Sequence, residues 1–309
     1  MTIVVFGSIN VDITAYAPRL PRPGETVHGD SYAVSLGGKG ANQAVAVARL
    51  GAEVALAGRT GVDTFGTLAR ERLTAFVVGL DHLMADPANP TGIAAIGVDA
   101  KAENCITVVG GANMAVDETD VKRLDTVLAG AQVLLLQLEV PLAPALQAAE
   151  RVRAAGGIVV LDPAPAPEAT FPDDVWRTVH AMTPNESETE ALVGIRPVDP
   201  PSAARAAAAM IERGLAMAVV KMGAGGVYWR SADGEGHVPT FPVTPIDTVA
   251  AGDCFNGGLA VALARGDRLE DAVRFASACG ALATTKRGAS DAAPTLDEVS
   301  ALLEANPEH

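Results

Sequence analysis

The sequence predicts an α/β fold: a doubly wound, mostly parallel sheet flanked by helices, carrying a small β-sheet lid. Three observations predict it. Short apolar, β-branched runs alternate with helical stretches along most of the chain, the pattern of right-handed βαβ crossovers. Two β-rich stretches interrupt that alternation with no helix between their strands. The chain has 309 residues, 49% of them hydrophobic, enough to bury a core on both faces of a sheet.

The first strand, residues 3–6, is apolar enough to be buried on both faces. It runs into Gly7-Ser8-Ile9-Asn10-Val11-Asp12, where Asn10 and Asp12, two residues apart on extended backbone, project to one side. An amide beside a carboxylate suits adjacent hydroxyls of a sugar, although turn chemistry alone uses both residue types. Residues 25–36 read as short strands around a turn at Gly29-Asp30, a hairpin standing off the main sheet as a lid. Gly37-Gly38-Lys39-Gly40-Ala41-Asn42-Gln43 is a Gly-rich turn entering a helix that stops at Gly51, which suggests close approach of a ligand to backbone. It is not a Walker loop, since GxxxxGK[ST] occurs nowhere. Residues 54–57 read as a strand and 63–76 as a helix capped by Asp63. After a turn at 89–92, GIAAIGV and NCITVVG read as two strands joined around 99–103. The expected organisation is a large domain of residues 1–12, 38–90 and 112–309, with 13–37 and 91–111 as the inserted lid.

From residue 117 the alternation is regular. Residues 117–130 read as a helix, VLLLQL as a buried strand ending at Glu139, and 141–157 as a helix with Pro141 early and Gly156 late. IVVL enters the Pro-rich DPAPA, and VHAMT ends in Pro184-Asn185-Glu186-Ser187-Glu188. A helix over 201–214 precedes MAVVK, which ends in Met222-Gly223-Ala224-Gly225-Gly226. VYWR and residues 238–243 are expected as antiparallel edge strands, and helices at 267–286 and 295–304 close the sequence. Ligands of such sheets bind beyond the carboxyl ends of the strands, where Asn10, Asp12, Glu139, Asn185, Glu188 and 223–226 all fall.

VAAGDCFNGGL, residues 249–259, gives this cleft a chemistry. Small residues Ala250, Ala251 and Gly252 lead into Asp253 and a helical run that stops at Gly266. The first N–H groups of a helix have no intrahelical partner, and its dipole favours negative charge there. A cradle of bare N–H groups with one carboxylate at its mouth suits removing a proton from a hydroxyl while holding the phosphoryl group it attacks. The plainer alternative is that Asp253 only caps its own helix.

The formal net charge of -14 argues against nucleic acid or an anionic membrane as partner, while a local cradle still takes a small phosphorylated ligand. Three cysteines, Cys105, Cys254 and Cys279, lie far apart, which suggests a reducing, cytoplasmic setting and a packing role for Cys254. MTIVVFGSIN runs straight into a strand and no apolar run reaches about 18 residues, so neither signal peptide nor membrane span is expected.

GGKGAN at 37–42 and AAGD at 250–253 together resemble the two signatures of the ribokinase-like (PfkB) sugar kinases. GSINVD, PGETVHG, GANMAV, QLEVPL, DPAPA, TPNESE and DTVAAGDCFNGGL keep step with that family along nearly the whole chain. The resemblance implies ATP-dependent phosphoryl transfer to the terminal hydroxymethyl of a pentose, with D-ribose favoured because Asn10 fits a sugar bearing a 2-hydroxyl. It implies Asp253 as general base and the N–H groups of Ala250, Ala251, Gly252 and Asp253 as the anion hole. Asn10, Asp12, Gly38, Lys39, Asn42 and Glu139 match sugar-contacting positions. Asn185, Glu188, Lys221, Gly223, Gly225, Gly226, Gly252 and Ser277 fall on the nucleotide side, the Asn185-to-Glu188 element being associated with Mg2+ and phosphate. A K+ site is implied beside the anion hole, from the Asp247 carboxylate and the carbonyls of Val249, Ala283, Lys286 and Gly288. A homodimer joined through the lid is implied as well, which would cover edges the lid strands otherwise leave unpaired. Ala292 departs from a serine often found near the cation, Lys221 from a common Thr, Cys254 from another, and Ser277 from a larger ring-stacking side chain. Among other functions, a Rossmann oxidoreductase lacks GxGxxG after the first strand, and a non-catalytic binding protein sits poorly with an intact Asp253. A kinase for fructose, deoxyribose or a nucleoside is the nearest alternative.

Overall fold

The computed structural model describes residues 2–101, 103–167 and 171–308. Strand β1 (Thr2–Phe6) is followed by β2 (Asn10–Tyr16) and β3 (Ser31–Gly37), then α1 (Lys39–Arg49), β4 (Glu53–Gly61), α2 (Thr64–Ala75) and β5 (Leu83–Asp86). Strands β6 (Gly92–Val98) and β7 (Asn104–Val109) precede α3 (Glu118–Arg123), α4 (Asp125–Ala129), β8 (Val133–Leu136), α5 (Leu142–Ala154), β9 (Ile158–Leu161) and α6 (Val175–Thr178). The chain continues through β10 (Ala181–Met182), α7 (Glu186–Val193), α8 (Pro200–Glu212), β11 (Met217–Lys221), β12 (Val227–Ser231), β13 (Gly234–Val238), α9 (Ala251–Arg265), α10 (Leu269–Ala283) and α11 (Leu296–Ala305).

Nine strands form one sheet in the order β13-β12-β11-β10-β9-β8-β1-β4-β5, parallel except for β12 and β13. Alternation places successive side chains on opposite faces. Ile3 and Val5 join Val133 and Leu135 in a core with α1, α9 and α10, while Val4 and Phe6 join Leu134 and Leu136 in a second core under α5 and α8. Burial on both faces is why these strands read as continuous apolar runs. A separate four-stranded sheet has the order β3-β2-β6-β7, with β2 and β6 parallel and the outer pairs antiparallel. Its first strand starts at Asn10, ahead of residue 13. Among the described residues no helix is long and apolar enough to cross a membrane.

Local chemistry explains the element ends. Asp63 caps α2 by accepting from Gly66 N–H, Thr295 and Glu298 form a capping box on α11, and Gly266 ends α9 in the left-handed region at φ 84°. Four expectations are corrected. The hairpin arms are β2 and β3 rather than strands around Gly29-Asp30, because pairing of β2 with β6 fixes the arms and an Arg19–Glu25 ion pair closes the loop between them. The edge strand is Gly234–Val238 rather than 238–243, since Pro239 and Pro242 lack the N–H a ladder needs. The helix over 117–130 is broken at Leu124, which turns inward so that Leu124 and Leu128 both enter the second core. The Gly-rich turn is already helical from Lys39, because Glu139 supplies the acceptor that its N-terminus needs. The two lid strands of GIAAIGV and NCITVVG stand as expected; their 99–103 connection includes Ala102, outside the described residues.

Candidate active site

A cleft of about 570 Å³ opens at the carboxyl ends of the parallel strands. Lys39, Asp162, Asn185, Glu188, Lys221, Gly223, Gly226, Ser277 and residues 250–253 line it. One wall is the N-terminus of α9. Its N-cap, Ala250, is held in the left-handed region at φ 56° and offers no side-chain acceptor. Strain of this kind gathers at functional sites. Ala251 N–H donates to the Thr248 carbonyl, while the N–H groups of Gly252 and Asp253 have no acceptor among the described residues.

Asp253 does not cap the helix it starts. Its Oδ2 accepts from Asn42 Nδ2 and its Oδ1 from Gln43 Nε2, each at 3.1 Å, so α1 holds it from across the cleft. Burial pushes its carboxyl up to about 6 despite the opposing charge of Lys39, with Asp162 adding to the rise. Burial likewise raises Asp12 to about 6, helped by the charges of Glu139 and Asp253. Burial works against the charge on Lys39, but Asp162, Asp253, Glu139 and Glu188 outweigh it and hold the ammonium well above its usual range. Asp162 is the shared counter-charge: Lys39 Nζ lies 3.7 Å from one oxygen and Lys221 Nζ 3.4 Å from the other. Lys221 Nζ also lies 3.5 Å from where a Gly252 Cβ would stand, so a second cation overhangs the bare helix end. Cys254 is buried with its thiol pushed far up, which fits packing rather than nucleophilic chemistry.

Toward the second sheet, Glu139 Oε2 accepts from Lys39 N–H at 3.0 Å and from Ser8 Oγ at 2.5 Å, anchoring the start of α1 that Gly38 leaves uncapped. Gly38 is obligatory, with φ 87° and a Cβ that would meet Asn10 N at 2.7 Å. Asn113 clamps the backbone N–H and C=O of Ile9 and donates to Asn10 Oδ1 at 2.8 Å. That bond sets which end of the Asn10 amide is oxygen, and the NH2 end is left for a ligand acceptor. Asn42 Oδ1 in turn accepts from Ser290 Oγ at 2.7 Å.

On the far side, Asn185 and Glu188 form the capping box of α7, each accepting the other's backbone N–H at 2.8–2.9 Å. Their capping role holds, and burial also raises the Glu188 carboxyl at the cleft wall. Gly223 and Gly226 stand at φ 51° and 82° in the turn after β11. Gly225, between them, meets His237 Nε2 through its carbonyl at 2.7 Å instead of lining the cleft. Ser277 Oγ is buried without a partner among the described residues.

The residues expected at a K+ site are drawn together only in part. Asp247 accepts from Val249 N–H at 3.0 Å and Gly288 N–H at 3.2 Å, and the Ala283 carbonyl accepts from Lys286 N–H at 3.3 Å. The Lys286 side chain turns away to Glu298 at 2.7 Å, and Ala292 is fully buried. Among the described residues no three His, Cys, Asp or Glu side chains gather as a metal cluster. Sequence reasoning gave no role to Asp162, Gln43, Asn113, Ser8 or Ser290. Asp162 had two signals, its place at the carboxyl end of a strand and its place at the head of the DPAPA stretch.

The chain matches the pfkB family carbohydrate kinase over residues 1–296. It is 38% identical to the ribokinase of Haemophilus influenzae across 98% of each protein. It is 34% identical to the deoxyribokinase of Salmonella typhi across 99% of this chain and 100% of that one. The structure of Arabidopsis thaliana ribokinase complexed with ribose and ATP superposes at a TM-score of 0.91, with 32% identity over 98% of each chain.

Proposed function

The chain belongs to the pfkB family of carbohydrate kinases, and we propose that it transfers the γ-phosphoryl group of ATP to the 5-hydroxyl of D-ribose, giving ribose 5-phosphate and ADP. The observation that carries this reading is an Asp253 held by Asn42 and Gln43 rather than by its own helix, at a helix end left bare for an anion. Asp253 takes the proton of the 5-hydroxyl. The freed oxygen bonds to the γ-phosphorus as its bond to the β,γ-bridging oxygen breaks, and ADP leaves with that electron pair. The N–H groups of Gly252 and Asp253, the residues Ala250 and Ala251 that open the helix, and the Lys221 ammonium meet the charge on the phosphoryl group.

Asn10, Asp12, Gly38, Lys39, Asn42 and Glu139 orient the sugar, Asn10 donating to a hydroxyl oxygen. Asn185, Glu188, Gly223, Gly226 and Ser277 hold the nucleotide, and Gly225 shapes the turn between the two glycines that line the cleft. Mg2+ takes one or two carboxylates beside phosphate oxygens and water, and the buried Glu188 fits that demand; bound there it neutralises phosphate charge. The Asp247 carboxylate and the carbonyls of Val249, Ala283, Lys286 and Gly288 are hard oxygen donors that suit K+, which would add positive charge beside the anion hole. Segments 13–37 and 91–111 act as a lid that excludes water from the sugar, and two chains pair through it in the cytoplasm. A second reading, 2-deoxyribose as acceptor, draws on the full-length likeness to the Salmonella typhi deoxyribokinase.

The test is ADP release with D-ribose, 2-deoxyribose, fructose or adenosine, in K+ or Na+, for the wild type and Asp253→Asn. Ribose should support turnover that falls by about a hundred- to ten-thousandfold in the variant. An active Asp253→Asn protein would remove the base, and turnover on another acceptor alone would replace the sugar.

A further inference from the structure

Gln43 is fully buried on α1 and touches two carboxylates with one nitrogen. Its Nε2 donates to Asp253 Oδ1 at 3.1 Å and to Asp162 Oδ2 at 3.2 Å. Its Oε1 accepts from Gln137 Nε2 at 2.7 Å. A carboxamide has one donor end and one acceptor end. Turning this one over would set its oxygen against two carboxylates and its NH2 against the NH2 of Gln137. The two carboxylates therefore fix which end of Gln43 faces them, and Gln137, whose own Oε1 has no partner among the described residues, meets the acceptor end left over.

We propose that Gln43, seated against Gln137, is a positioning residue that holds the Asp253 carboxylate in place to take the substrate proton. The proposal rests on Asp253 being the base. With Asn42 on Oδ2 and Gln43 on Oδ1, each oxygen of Asp253 keeps a lone pair free while rotation of the carboxylate is blocked. The charged and titratable groups facing Asp253 are Lys39 from α1, Asp162 after β9 and Asp12 from β2, with Cys254 beside it. Lys221 from β11 bears on it through Asp162. Of these, Lys39 favours the ionised form and the two acids oppose it. The Gln43 donor works with Lys39, favouring the ionised form of Asp253 against its burial and its acidic neighbours.

The experiment compares wild type, Gln43→Met and Gln137→Met for kcat, both KM values and the pH profile of kcat, with Asp253→Asn alongside. Gln43→Met keeps the volume and removes the donor. Its kcat at neutral pH should fall about ten- to a hundredfold, with KM for sugar and ATP within about threefold and the acid limb of kcat moved up by about one pH unit. Gln137→Met touches no acid, yet should move the same limb in the same direction by less. A purely structural Gln43 would leave that limb where it is. An unmoved acid limb in both Gln variants beside an inactive Asp253→Asn protein would overturn the positioning role alone. An active Asp253→Asn protein would overturn the base itself. Should Gln43→Met fail to fold, the Gln137→Met profile decides by the same criterion.

Discussion

Asp12 and Asp253 are two carboxyls raised to about 6 within one site, and that elevation has opposite consequences for stability and for chemistry. Asp12 ordinarily titrates at 3.8. Between that value and about 6 the folded chain binds more protons than the unfolded one, so stability is full below the lower value and is lost as pH rises through the upper. Asp12→Asn removes this burden. It should gain about 1–2 kcal/mol at pH 8 in urea denaturation and nothing at pH 4, while sugar turnover is lost. An equal gain at both pH values would show that packing, not charge, had changed. For Asp253, the base we propose, the same elevation marks where chemistry stops: a base must be ionised to accept a proton, so kcat should fall as pH drops through about 6. Ala250 belongs to the same pattern, since a left-handed alanine at the mouth of the proposed anion hole puts local strain at a helix end that the proposal needs uncovered.

Helix α2 shows the cost of the wrong residue at an element's end. Val77 follows its C-cap at φ 61°, where Val77 N–H bonds Thr74 and Val78 N–H bonds Leu73 in the closing turn that glycine usually makes. A β-branched side chain is strained there, and at 85% exposure it loses little by removal. Val77→Gly should therefore stabilise by about 0.5–1 kcal/mol after the entropy glycine adds to the unfolded chain, read as a higher Tm with unchanged turnover. Elements with strong local signals were legible in the sequence: β11 as MAVVK, α2 behind its Asp63 cap, α9 ending at Gly266. Where local and tertiary signals disagreed, the sequence misled. GEGHV carries two glycines and no apolar alternation, and becomes a strand only because β12 lies beside it. The site divides the same way. Asp253 and the turn before it announce themselves by residue type at a helix start. Gln43 and Asp162 matter through partners 59 to 210 residues away in sequence, and Asn113 through one 103 away, which no local pattern encodes.

Over the whole molecule, the large sheet buries both faces and the lid sheet does not. Strand β7 is exposed along its length, and β3 and β7 are the open edges of their sheet. Register shows which face is uncovered. Asp12 pairs with Ala94 and Ala94 with Val108; Thr14 pairs with Ile96 and Ile96 with Ile106. Cross-strand partners share a face, so Ile106 and Val108, each 52% exposed, extend the face that carries Asn10 and Asp12. Lid-on-lid pairing of two chains, as proposed, would cover this apolar stretch and the edges together. At -14 per chain the two copies repel one another, so apolar contact has to supply the attraction and added salt should strengthen the pair. Light scattering should give twice the mass of one chain for the wild type and for Asp253→Asn. A charge pair placed on the stripe, Ile106→Glu with Val108→Glu, should give a folded monomer with a raised KM for sugar, because the lid face it disturbs continues directly into Asp12. A monomeric wild type at all salt concentrations would leave that stripe without a partner chain and would rule out the dimer.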